Sequence, residues 1–183
     1  MIYIFLADGF EEIEAVTPLD MLKRCDKEVV TVGVGSENKL IRGAHDIYIA
    51  ADISEKDIVL DGSLEMIILP GGMPGTANLE KSEYVQRAVD YCAENNVFIG
   101  AICAAPSILG NKKLLRGKKA VCYKGWEAKL EGADIQDTQA VQDGNIITAR
   151  GAGASMEFGF ALIEALISKE RAEALRDAML CAR

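Results

Sequence analysis

The stretch "VFIGAICAAPSILG", Val97 to Gly110, decides the fold. Its first half is a short apolar run, read as a strand buried on both faces. Its second half, "AAPSILG", reads as the first turns of a helix. Cys103 sits on the joint. A strand–turn–helix elbow exposes its central side chain and aims the following backbone N–H groups at it. Those N–H groups open a helix, so they favour a thiolate and a developing oxyanion. Pro106 suits the first helical turn, where no N–H is needed. The opposing reading is a structural cysteine, since free Cys is among the most buried residues. On position alone both readings stand.

The same alternation runs through the chain. "IYIFLA" (2–7) reads as a buried strand and "EEIEAVTPLDMLKRC" (11–25) as a helix with a kink expected at Pro18. "EVVTVGVG" (28–35) is a second strand, and "LIRGAHDIYIAADIS" (40–54) is hairpin-like. "MIILPGGMPG" (66–75) is a strand running into a glycine-rich turn. "SEYVQRAVDYCAENN" (82–96) is an amphipathic helix capped by Ser82. "KAVCY" (119–123) reads as a strand, and "TQAVQDGNIITAR" (138–150) as a hairpin turning at Asp143-Gly144. Helices over 151–168 and 169–183 close the chain. Strands separated by helices predict an α/β three-layer sandwich, with a mostly parallel sheet between helices on both faces. Ligands bind such sheets at the C-terminal ends of the strands. "ADGFEE", "PGGMPG" and "CAAP" all fall there.

The 183 residues are read as one domain, 1–183, large enough for a real core. No stretch approaches the roughly 20 apolar residues of a membrane span. The N-terminus lacks the basic region of a signal peptide, so a cytoplasmic protein is expected. A net charge of −8 disfavours nucleic acid and anionic membranes as partners. The densest basic run, Asn111–Lys119, reads as a solvated loop. The five cysteines, at 25, 92, 103, 122 and 181, contain no Cys-x-x-Cys and read as free thiols. Neither these cysteines nor the single histidine, His45, shows metal-ligand spacing, so no metal and no cofactor are expected. His45 reads as a surface or turn residue.

Cys103 leads the candidate chemistry. The "PGG" at Pro70–Gly72 follows a strand, and its glycines let backbone N–H groups approach a ligand; Gly72 is a candidate oxyanion donor facing Cys103. A tight turn explains the same glycines. Asp8, Glu11, Glu12 and Glu14 crowd one short stretch. Glu14 lies between Ile13 and Ala15, where Pro18 disturbs the helix. Turned inward, it is a desolvated carboxyl with a raised pKa, able to donate to a thiolate or exchange protons with a substrate. Glu11 and Glu12 suit the solvated N-terminus of a helix. "RGAGAS" (150–155) could bind an anion or pack a helix closely on the sheet.

"DGFEEIEAVTPLD", "ILPGGMPG", "AICAAP", "CYKGWEAKL" and "TARGAGASMEFGFALIEAL" together resemble the ThiJ/PfpI superfamily, within it the subgroup of the Parkinsonism-associated protein DJ-1. The resemblance implies a flavodoxin-like sandwich and a homodimer. It implies Cys103 as the reactive cysteine, Glu14 as its protonated partner, and N–H groups of Gly72 and Ala104 around them, with Gly71 beside. Tyr123 and Arg24 would stand behind this site. Two departures matter. Ala104 occupies the position where the protease-like branch has histidine, which argues against a Cys-His peptidase. Tyr123 and Lys124 stand where relatives carry histidine and often proline. The activity implied is that of a cofactor-free glyoxalase or deglycase acting on methylglyoxal and its early adducts. An oxidative-stress sensor or chaperone working through Cys103 oxidation is the alternative. Thiamine thiazole biosynthesis is a minor one.

Overall fold

The structure, a computed structural model, describes residues 1–181. In chain order the elements are β1 (Ile2–Ala7), α1 (Glu12–Lys23), β2 (Val29–Val34), β3 (Leu40–Arg42), β4 (Tyr48–Ala50), β5 (Ile53–Ser54) and β6 (Met66–Leu69). There follow α2 (Gly75–Lys81), α3 (Glu83–Glu94), β7 (Phe98–Ile102), α4 (Pro106–Asn111), β8 (Lys119–Ala120) and β9 (Asp134–Ile135). The chain ends through β10 (Ala140–Asp143), β11 (Ile146–Ala149), α5 (Ser155–Leu166) and α6 (Lys169–Ala178).

Seven strands form one sheet in the order β10-β11-β7-β6-β1-β2-β5. Every pairing in it is parallel except β10 with β11, the hairpin expected at Asp143-Gly144. The sheet splits the core in two, because successive side chains of a strand point to opposite faces. Ile2, Ile4 and Leu6 of β1 pack with α1, α5 and α6 residues such as Met21, Phe158 and Leu175. Tyr3, Phe5 and Ala7 pack on the other face with Leu79, Val89 and Ile108 of α2, α3 and α4. This is the flavodoxin-like three-layer sandwich expected.

Helix α1 runs through Pro18 as a single element. Three local expectations are corrected. The strand expected over 119–123 stops at Ala120, in a separate two-stranded ribbon with β9. Val121 N–H is instead captured by Thr148 Oγ1 (3.0 Å), which turns Cys122 and Tyr123 out of strand pairing. Helix α2 was not foreseen: it starts at Gly75, inside the glycine-rich stretch read as a turn. The final helix ends at Ala178, and the last two residues of its expected range lie outside the described residues.

Candidate active site

β1, β6, β7 and β11 are adjacent and parallel, so the loops after them meet at one edge of the sheet. Cys103 is the first residue beyond β7. Its N–H extends the sheet ladder by one bond, to Ala149 O (2.9 Å), and its own carbonyl accepts the Tyr123 N–H (2.8 Å). Pinned at both ends, Cys103 has φ +64°, a left-handed conformation uncommon for a residue with a side chain. That sharp turn is the nucleophile elbow. It leaves the thiol half-buried, with the N–H groups of Gly72 and Ala104 directed at the sulfur.

Glu14 reaches the same point from the first turn of α1. It is 1 % exposed. One carboxyl oxygen, Oε2, accepts the Gly71 N–H at 2.8 Å. The other, Oε1, is buried and accepts no hydrogen bond. The carboxyl lies within reach of the Cys103 thiol, and each shifts the other's titration. Burial pushes Glu14 up to about 7, against the pull of Cys103 and of the Gly71 N–H; the Glu11 charge adds to the rise. Burial also pushes the Cys103 thiol up to about 12, helped by the Glu14 charge, while the Gly72 and Ala104 N–H groups oppose the rise. The helix-opening N–H groups alone therefore do not make a depressed thiol, contrary to the expectation from sequence. The pair therefore holds two protons below about pH 7 and a single one above it.

The turn after β6 locks this pair. Gly71 O accepts the Glu11 N–H (3.0 Å) and Gly75 N–H donates to Gly9 O (3.2 Å), tying the loops after β1 and β6 together. A side chain at Gly71 would put its Cβ 2.5 Å from Glu14 Oε2 and 2.6 Å from Cys103 Cβ. Gly72 has φ +87° and its missing Cβ would strike the Glu11 backbone.

The structure thus brings together Cys103, Glu14, Gly71, Gly72 and Ala104. Tyr123 joins through its backbone, its half-exposed ring lying against Gly151. Arg24 does not join. It caps the far end of α1, ten residues from Glu14 and so roughly 15 Å along the helix axis. Its guanidinium pairs with Asp20 at 2.6 Å. A cleft of about 460 Å³ is lined by Tyr123, Lys124, Gln139, Arg150 and residues 151–154, and neither Cys103 nor Glu14 lines it.

The sequence reading missed one cluster. His45, in the turn between β3 and β4, places Nδ1 2.8 Å from Glu12 Oε2. Burial works to raise the Glu12 carboxyl, but the His45 ring and backbone N–H outweigh it and hold the carboxyl low. The same contact, with the charges of Glu11 and Glu12, raises the imidazole. No spacing signal could have revealed this, because the partners are 33 residues apart.

Residues 1–165 match the DJ-1/PfpI family. Protein DJ-1 homolog B of Arabidopsis thaliana is 34 % identical over 98 % of this chain, which spans 41 % of that protein. The chain therefore covers less than half the length of that plant relative. The glutathione-independent glyoxalase DJ-1 of Schizosaccharomyces pombe is 30 % identical over 94 % of each chain. The structure of oxidized Toxoplasma gondii DJ-1 superposes with a TM-score of 0.93 at 30 % identity, covering 100 % of this chain and 98 % of that one.

Proposed function

The chain belongs to the DJ-1/PfpI family, and from that premise we propose that it is a cofactor-independent glyoxalase acting on small α-oxoaldehydes such as methylglyoxal. The observation that carries this reading is the buried Glu14 carboxyl against the Cys103 thiol. A carboxyl titrating near 7 can both take and return a proton at neutral pH. The named activity of the fission yeast relative supports it.

As the sulfur attacks the aldehyde carbon, its proton passes to Glu14. The Gly72 and Ala104 N–H groups face the developing oxyanion. Glu14 then protonates that oxygen, completing a hemithioacetal. The carboxylate next takes the proton from the former aldehyde carbon and gives it to the neighbouring carbonyl oxygen, forming an enediol; it then takes the proton of the first hydroxyl and returns it to the neighbouring carbon. The product is a lactoyl thioester on Cys103, which water hydrolyses to lactate and free thiol. When a hemithioacetal or aminocarbinol adduct expels its thiol or amine and frees the aldehyde, the same attack on that aldehyde is a deglycase activity. Lactate formation from methylglyoxal without added glutathione tests the proposal. Wild type is expected to turn over and Cys103→Ser to fall to background; equal rates would reject it.

A second reading rests on Glu14 Oε1. Buried without a partner, this atom can carry a proton and donate it to an oxygen added to the sulfur. Cys103 would then be a sensor that peroxide oxidises to a sulfinate capped by Glu14. Mass spectrometry after peroxide treatment should place the added oxygen on Cys103. Oxygen on Cys25 or Cys181 instead would count against it. No helix among the described residues is long and apolar enough to cross a membrane. A homodimer through α1 is supported by Ile13 and Val16, which stay 54 % and 43 % exposed on that helix. Light scattering should give twice the 19.7 kDa chain mass, and Ile13→Glu should reduce it to the monomer.

A further inference from the structure

Glu11, Glu12 and His45 stand together beside the active site with no role in the chemistry above. His45 Nδ1 lies 2.8 Å from Glu12 Oε2 and 3.6 Å from Glu11 Oε2. The three donor atoms fall within 4.8 Å of one another. We propose that these residues bind one divalent transition-metal ion of the Zn²⁺ class, through Nδ1 and one oxygen of each carboxylate.

The donor set fits such an ion. One imidazole nitrogen and two carboxylate oxygens suit a borderline cation, with bonds of about 2.0–2.2 Å that put neighbouring ligands roughly 3 Å apart. Small side-chain rotations close the present spacing to that span. The acids alone would have a simpler explanation, since carboxylates suit the start of a helix. That explanation does not require an imidazole from a distant hairpin. Nor does it employ Glu11, which stands at the N-cap of α1 without a side-chain cap hydrogen bond.

The imidazole is held in place by the backbone. His45 N–H donates to Glu12 Oε1 at 2.7 Å. Gly9 N–H bonds Arg42 O (2.7 Å) and Ala44 N–H bonds Phe10 O (2.8 Å), strapping the hairpin to the loop that carries the acids. Gly43 leaves the room that the Glu12 carboxylate fills. The site is sheltered on the protein side and open on the other. The Glu12 and Glu11 side chains are 7 % and 15 % exposed and His45 is 68 % exposed, so water completes the coordination. Among the described residues, the ion pairs of Glu11 and Glu12 are with His45 alone. The ion takes the place of the proton in the Nδ1–Glu12 hydrogen bond, which is released to solvent, and the bound ring is neutral with its proton on Nε2.

The test is calorimetric titration of Zn²⁺ into protein carrying Cys103→Ser and Cys181→Ser, which removes the two thiols that are not buried. One ion per chain is expected, with His45→Ala and Glu11→Gln each weakening binding by at least about tenfold. A second readout needs no variant at the site. The chain has a single histidine, so its imidazole NMR signals belong to His45 and should shift saturably at one equivalent of Zn²⁺. Absence of binding would overturn the proposal. So would binding that leaves the His45 signals and the affinity of His45→Ala unchanged.

Discussion

At Glu14, burial raises the carboxyl to about 7, so the folded protein binds a proton there that the unfolded chain, at 4.5, gives up. The sign of the stability effect follows. The folded state is favoured most below pH 4.5, where both states are protonated, and loses stability as pH rises through about 7. The loss is at most about 3 kcal/mol at 1.36 kcal/mol per pKa unit. Glu14→Gln removes the ionisation and keeps the shape. Its unfolding free energy relative to wild type should therefore grow between pH 5 and pH 8, read from urea unfolding at each pH; a pH-independent difference would contradict the raised carboxyl. The kinetic counterpart concerns the proton that sulfur and carboxyl share. The attacking state holds one proton on the pair, whichever atom carries it. Thus kcat/KM for methylglyoxal should be level above pH about 7 and fall tenfold per pH unit below it, as Glu14 takes the second proton. Glu14→Gln should abolish turnover at every pH.

The elements matter because three loop geometries converge on that pair. Gly71 is the glycine that touches the pair itself, since a Cβ there would come within 2.6 Å of both the Glu14 carboxyl and Cys103 Cβ. Gly71→Ala should cost about 1–3 kcal/mol by overpacking and should reduce kcat far more than it raises KM, because it separates the reacting groups. Steady-state kinetics and thermal melts on the one variant read both effects. These loops also show what a linear reading can find. The elbow at Cys103 was legible because a buried strand, a helix start and Pro106 follow one another without a gap. The placement of Glu14 was suggested by its apolar neighbours, but its second partner, the Gly71 N–H, comes from 57 residues away. Helix α2 was hidden because Gly75 and Thr76, poor helix formers, open it directly after a turn. The end of β8 was hidden because a side chain, Thr148, takes the N–H that a continuing ladder would have used. The pairing of Glu12 with His45 depends on a hairpin folding back over the loop after β1, which spacing along the chain cannot express.

Across the whole molecule, the site depends on a sheet stiffened from both sides. β7, which ends at the elbow, is the clearest case. Gly100 in its middle has no side chain, and the space is filled from α5. A Cβ there would lie 2.8 Å from Leu162 Cδ2 and 3.0 Å from Phe158 Cζ. Phe158 is fully buried and belongs to the core shared by α1, α5 and α6. The same helix α5 follows β11, whose Ala149 carbonyl holds the Cys103 N–H. Phe158→Ala would leave a cavity directly behind β7, with a cost of about 3–5 kcal/mol for losing a buried aromatic ring. The opposite layer offers a control. Leu109 on α4 is equally buried, against the other face of the sheet, and Leu109→Ala should cost about 2–5 kcal/mol. Because the elbow is pinned through β11, the two losses should differ in kind. Phe158→Ala should slow turnover as well as lower the urea midpoint, since it frees the strand that aims the thiol. Leu109→Ala should lower the midpoint with a smaller effect on kcat. Equal effects on kcat at matched stability would show that the layer under β7 supports the fold without orienting the nucleophile.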